Sequence, residues 1–191
     1  FDNIYHEHYN YWSLTSLVNF FNNLDLKIFN AEKINTHGGS IRIFISKQKR
    51  IRIQNNVKKI LNEEDKYGIK KYKTYQNFGK KVYEIRDNVL KNLGEIKKQN
   101  KKIIGFGAPA KATTALNFYG ITNQIDFIVE DNHLKHNKFI PGVKIPIKSK
   151  KLINSKKNIV LVLAWNFFEE IKKNNNNLAE KFINIKDLEN D

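Results

Sequence analysis

The chain has 191 residues, a hydrophobic fraction of 40%, a formal charge of +15 and neither cysteine nor methionine. That length and apolar content suffice for one large domain or a domain and a half and exclude wholesale disorder, while the missing thiols exclude disulfides and thiolate metal sites. No apolar run approaches the roughly 18 residues of a membrane span, and the first residues lack the basic-then-apolar order of a signal peptide, so a cytoplasmic protein is expected. A chain without methionine that opens on Phe-Asp, inside what reads as a motif, is expected to be the later part of a longer product. The basic clusters at 47–52, 70–73, 97–102 and 148–157 are scattered among many asparagines and read as solvated faces. A diphosphate-bearing ligand would also be drawn to such a field.

In chain order, residues 1–12 read as an irregular loop crowded with groups able to move protons: Tyr5, His6, Glu7, His8, Tyr9 and Tyr11. Ser13 reads as a helix N-cap, because Leu14, Leu17, Val18 and Phe21 follow at helical spacing as far as about Asn23. Alternating apolar residues over 26–34 and at Ile41, Ile43 and Ile45 predict two antiparallel strands joined through the glycines of THGGS, closing a sheet whose other strands precede Phe1. A helical region is expected from 48–52 to a stop at Gly68. A second apolar stripe follows, from Tyr75 to Leu93.

Beyond Lys102 the rhythm changes. Strands are predicted over 103–106, 125–129, 159–163 and 182–185, with helices over 109–118 and 167–173 and a Pro- and Gly-containing loop over 139–147. Strands alternating with helices predict an α/β, Rossmann-like domain with a parallel sheet from about residue 50 to the end.

Two stretches could carry chemistry. Gly105, Gly107 and Ala108 lie between a predicted strand and helix, where small residues let backbone N–H groups approach an anion, and Lys111 adds a charge one turn in. The third glycine of a dinucleotide fingerprint is replaced by Ala110, so the turn is either a phosphate cradle or only a tight turn. The YHEH stretch has three readings: a surface loop, a metal site in which His6 and His8 are joined by Glu7 or His37, and a general base. In the last, an imidazole takes a proton from carbon beside a ketone, a neighbouring carboxylate fixes its tautomer, and a phenol such as Tyr5 donates to the enolate oxygen.

FDNIYHEHYNYWSL, INTHGGSIRIF, GFGAPAKATTALNFYGI, EDNHLKHNKFIPGVKIPI and VLAWNF together resemble the sugar C-methyltransferases that act on nucleotide-linked 4-keto-deoxysugars. The likeness implies that residues 1–48 are the last helix and antiparallel strand pair of a class I methyltransferase domain and that 49–191 are a Rossmann-like nucleotide-sugar-binding domain. It also implies S-adenosylmethionine, bound mainly upstream, and zinc in an N-terminal module that precedes this chain; no metal ligand is assigned within it. His8 matches the family's base, Glu7 its partner and Tyr5 the tyrosine at the active site. Gly105, Gly107, Ala108 and Lys111, with Asn117 later on the same helix, match diphosphate or nucleotide contacts, and Thr36, His37 and Gly38 should lie near the sugar. The expected partner is a nucleotide-diphosphate sugar, with no nucleic acid and no membrane. Ala112, Thr113 and Ala164 depart from the family pattern, which more often has Gly-Asn at the first two positions and proline at the third. Two rival readings are a nucleotide-sugar-binding module without chemistry and a basic nucleic-acid-binding domain.

Overall fold

The structure is a computed structural model that describes residues 1–191 except 6, 37, 38, 154–156 and 191. It divides into two compact units, His8–Gly79 and a second made of Phe1–Glu7 with Lys80–Asp191.

The first unit opens with α1 (Leu14–Asn22), capped as its sequence predicts: the Ser16 N–H donates to Ser13 Oγ at 3.1 Å, and the Ser13 N–H donates to Ser16 Oγ at 3.0 Å. Strands β1 (Lys27–Ile34) and β2 (Ser40–Ser46) pair antiparallel, Ala31 opposite Ile43, with an irregularity between Ile28 and Asn30. Helix α2 (Asn55–Tyr67) ends at Gly68, whose φ of +80° suits a residue without Cβ. It begins later than the expected 48–52, because the Gln54 N–H donates to the Phe29 carbonyl at 2.9 Å and keeps the approach extended beside β1. Leu14, Ile28, Ala31, Val57 and Ile60 form the unit's core.

One carboxylate joins two of these helices. Glu64 of α2 accepts from the N–H groups of Leu14 and Thr15 at 2.6 and 2.8 Å and from Thr15 Oγ1 at 2.6 Å. It satisfies donors that the first turn of α1 cannot pair internally, and it complements that end's partial positive charge. Glu64→Ala should therefore destabilise this unit by about 1–3 kcal/mol in a urea titration, without changing the α2 stop at Gly68.

In the second unit, α3 (Tyr72–Lys98, of which residues from 80 belong here) is followed by β3 (Ile103–Phe106), α4 (Ala110–Tyr119), β4 (Phe127–Val129), β5 (Ile147–Lys148), β6 (Ile159–Val162), α5 (Phe168–Asn174) and β7 (Lys181–Asn184). The five strands are parallel, in the order β5-β4-β3-β6-β7. Every residue of β3 and β6 is buried, as strands covered on both faces require. On one face Ile103, Ile128, Leu161 and Ile183 pack with Val89 and Leu93 of α3 and Leu116 of α4. On the other, Ile104, Phe106, Val160 and Val162 pack with Phe168 and Ile171 of α5. The expected parallel, Rossmann-like α/β unit is thus present. It also has a strand, β5, that the 139–147 region reads as loop, since two residues are too few for a periodic signal.

Strand order sets where a ligand can enter. From β3 the chain moves to β4 on one side and later to β6 on the other, so the connections leaving the carboxyl ends of β3 and β6 diverge. In open α/β sheets the crevice at such a reversal is where ligands bind.

Candidate functional site

At the carboxyl end of β3 the chain turns through Gly107, Ala108 and Pro109 into α4. Gly107 has φ +89°, and its N–H donates to the Val129 carbonyl at 2.8 Å, clamping the turn to β4. A Cβ at Gly107 would stand 2.8 Å from the Ala164 Cβ in the connection after β6, so the turn needs glycine twice over. Gly105 is a different case. It lies within β3, where a Cβ would stand 2.7 Å from Ile128 Cγ1 and 3.0 Å from Leu163 Cδ1, so this glycine serves packing within the sheet layer.

The Ala108 N–H is already engaged: it donates to Glu130 Oε2 at 2.9 Å, while Glu130 Oε1 accepts from the Asn132 N–H at 3.1 Å. Lys135 Nζ donates to the Ala108 carbonyl at 2.9 Å and sits 3.5 Å from the same carboxylate. Burial raises the Glu130 pKa, but the amides of Ala108 and Asn132 and the Lys135 ammonium outweigh it, so the net displacement is downward and the group is ionised at neutral pH. A ligand phosphate on the Ala108 amide would face this fixed negative charge. Lys111, in the first turn of α4, has no such carboxylate among its fellow lining residues of the smaller cleft.

Two clefts open at the reversal. The larger, of about 490 Å³, is lined by Gly107, Pro109, Glu130, Lys135 and Phe167 among others. The smaller, of about 80 Å³, is lined by Pro109, Lys111, Leu163, Ala164, Trp165, Asn166 and Phe167. Phe167 is 61% exposed and rims both, a free aromatic face suited to stacking on a nucleobase.

Of the residues expected at the turn, Gly107 and Lys111 line these clefts, Ala108 is spoken for by Glu130, and Gly105 lies inside the strand. Asn117 lies further along α4. Its amide donates to the Thr113 and Pro141 carbonyls at 2.8 and 2.9 Å, tying the helix to the loop before β5. Glu130, Lys135 and Phe167 were not singled out from sequence. Glu130 had a usable signal, an acidic residue closing the second strand roughly 20 residues after a glycine turn.

The residues expected to transfer protons fall on either side of the division between units. Tyr5, half-buried, and Glu7, exposed, belong to the second unit, and His8, exposed, to the first. The segment is turned: the Ile4 N–H donates to the Phe1 carbonyl at 2.8 Å and the Tyr5 N–H to the Asn3 carbonyl at 3.1 Å. The His8 ring lies nearly parallel to Tyr11 at 6.3 Å. The Thr36 carbonyl accepts from the Gly39 N–H and Ser40 Oγ, both at 3.0 Å, and so forms the turn between β1 and β2. His37 and Gly38 lie outside the described residues, as does His6, and the metal reading falls with them outside what is described. Among the described residues no group of three potential ligands is close enough to hold a metal ion.

A parallel five-stranded sheet with helices on both faces and a glycine turn at its reversal defines a Rossmann-like unit. Residues 35–184 match the family model described as C-methyltransferase C-terminal domain, and the chain belongs to that family. It is 32% identical over 183 residues to the C-methyltransferase NovU of Streptomyces niveus, an alignment covering 94% of this chain and 44% of NovU. The chain thus spans less than half the length of that relative.

Proposed function

We propose that this chain is the later part of an S-adenosylmethionine-dependent C-methyltransferase whose substrate is a nucleotide-linked 4-keto-deoxysugar. The observation that carries the reading is the double cleft at the reversal of the parallel sheet, lined by Gly107, Lys111 and the Ala164-Trp165-Asn166 stretch in a chain of this family. In this reading residues 49–191 grip the nucleotide. The diphosphate lies against Lys111 and the first turn of α4, and the base lies on Phe167. Residues 1–48 close the methyl-donor domain, with Thr36, His37 and Gly38 toward the sugar.

The chemistry assigned to this chain is a proton transfer. The His8 imidazole takes the proton from the carbon beside the keto group, Glu7 holds the ring's other nitrogen, and the Tyr5 phenol donates a hydrogen bond to the enolate oxygen as charge gathers there. S-adenosylmethionine, held outside this chain as is a structural zinc, supplies the methyl group. The smaller cleft does not fit that donor, whose sulfonium is positive, because the lining presents Lys111 and no carboxylate.

Mixing the intact protein with a dTDP-linked 4-keto-deoxysugar and S-adenosylmethionine should yield a sugar in which a methyl has replaced one proton, with one equivalent each of S-adenosylhomocysteine and H⁺. A protein that binds the sugar and makes no donor-dependent product is a binding module, and the proposal fails. Lys111→Ala should weaken nucleotide-sugar binding about tenfold, the worth of one charge-assisted contact, raising KM with kcat little changed. Calorimetric titration with dTDP alone isolates that contact from the chemistry.

A further inference from the structure

The first seven residues are tied to the second unit by a compact group that the mechanism above does not use. The Phe1 ring packs on Phe118 at 5.0 Å and edge-on to Tyr119 at 5.7 Å. Lys186 lies in the 3₁₀ turn after β7. Its ammonium lies 3.6 Å from the Asp2 carboxylate, 2.8 Å from that of Glu189, 5.5 Å from the centre of the Phe1 ring and 4.8 Å from that of Trp165. Trp165 lines the smaller cleft. The Glu189 carboxylate is held in turn by the buried Tyr119 hydroxyl at 2.7 Å. Asp2 and Glu189 have side chains only 17% and 15% exposed, so these charges meet where water screens them less than at an open surface.

We propose that Lys186 is a positioning residue: it fixes the segment carrying Tyr5 and Glu7 to the Rossmann-like unit beside the cleft wall formed by Trp165. The inference rests on the reading of the YHEH stretch as the proton-transfer segment. One cation between two carboxylates and two aromatic faces has a single well-determined place, and the residues that follow Asp2 inherit it. An ordinary stabilising ion pair would cost stability when removed. A positioning residue costs turnover at constant affinity, since displacing reacting groups by about an ångström can cost on the order of a hundredfold in rate.

In the intact protein, Lys186→Met should lower kcat for methyl transfer about tenfold or more and leave the KM for the nucleotide sugar within about twofold. The amides of Ile4 and Tyr5 should exchange with deuterium at least about tenfold faster, a local opening rather than a global one. Lys186→Arg, which keeps the charge and can keep a cation over the Phe1 and Trp165 rings, should retain kcat within about threefold. Asp2→Asn removes the same tie from the segment's side and should reproduce the kcat loss if Lys186→Met folds poorly. Parental kcat in Lys186→Met, unchanged exchange at Ile4 and Tyr5, equal losses in the Met and Arg variants, or a raised KM with kcat intact would each overturn the proposal. A fully active His8→Ala would end the base reading by itself, and the exchange measurement would still decide whether Lys186 holds the segment.

Discussion

Replacing His8 by alanine in the intact protein should lower kcat for methyl transfer by about 10²–10⁴-fold, the usual worth of a positioned general base. Binding of the nucleotide sugar should persist, because Lys111 and Phe167, proposed to hold its diphosphate and base, lie in the second unit and His8 does not. The parent should also exchange the proton beside the keto group for solvent deuterium when the methyl donor is withheld, and the variant should not. That exchange isolates proton removal from methyl delivery. A His8→Ala protein with parental turnover would remove the base assignment and with it the role given to Glu7.

Gly107→Ala should have the largest effect on stability. Two costs add at this position: the +89° φ, which a residue with Cβ pays about 1–2 kcal/mol to adopt, and the 2.8 Å approach to Ala164, for which overpacking typically costs 1–3 kcal/mol. Urea unfolding should report a loss of about 2–5 kcal/mol, and nucleotide-sugar affinity should fall with it, because Ala164 lines both clefts. Gly120, which ends α4 at φ +71° with nothing within 4 Å of a built Cβ, provides the contrast. Gly120→Ala carries the conformational cost alone, about 1–2 kcal/mol. Equal losses at the two positions would show that the approach to Ala164 contributes nothing.

What could be read in advance follows the range of the forces involved. Capping of α1 by Ser13, the stop at Gly68 and the strand-helix alternation from Ile103 depend on neighbours within a few positions, and each is legible as local pattern. The late start of α2 is not, because the competing bond runs from Gln54 to Phe29 across 25 positions of chain. Strand β5 escapes for a related reason: Ile147 and Lys148 become a strand only because Ile128 and Val129 lie beside them. At the site, the motif locates the turn but leaves open which of its amides is available. The Glu130 carboxylate takes the Ala108 N–H, and only the folded sheet brings the ends of β3 and β4 together. The group around Lys186 draws on Asp2, Trp165 and Glu189, residues with no periodic relation to one another.

The glycine inside β3 has a consequence for how this sheet can change over generations. Ile128 and Leu163 reach into the volume that a side chain at 105 would fill, so the three positions share one space. An alanine at 105 is viable only where a smaller residue has come to 128 or 163, and a reversion at either without the other leaves a clash or a void. Such sites are epistatic, with single steps harmful and paired steps close to neutral. Covariation among relatives should therefore be strongest within this trio, even though Leu163 also lines the smaller cleft.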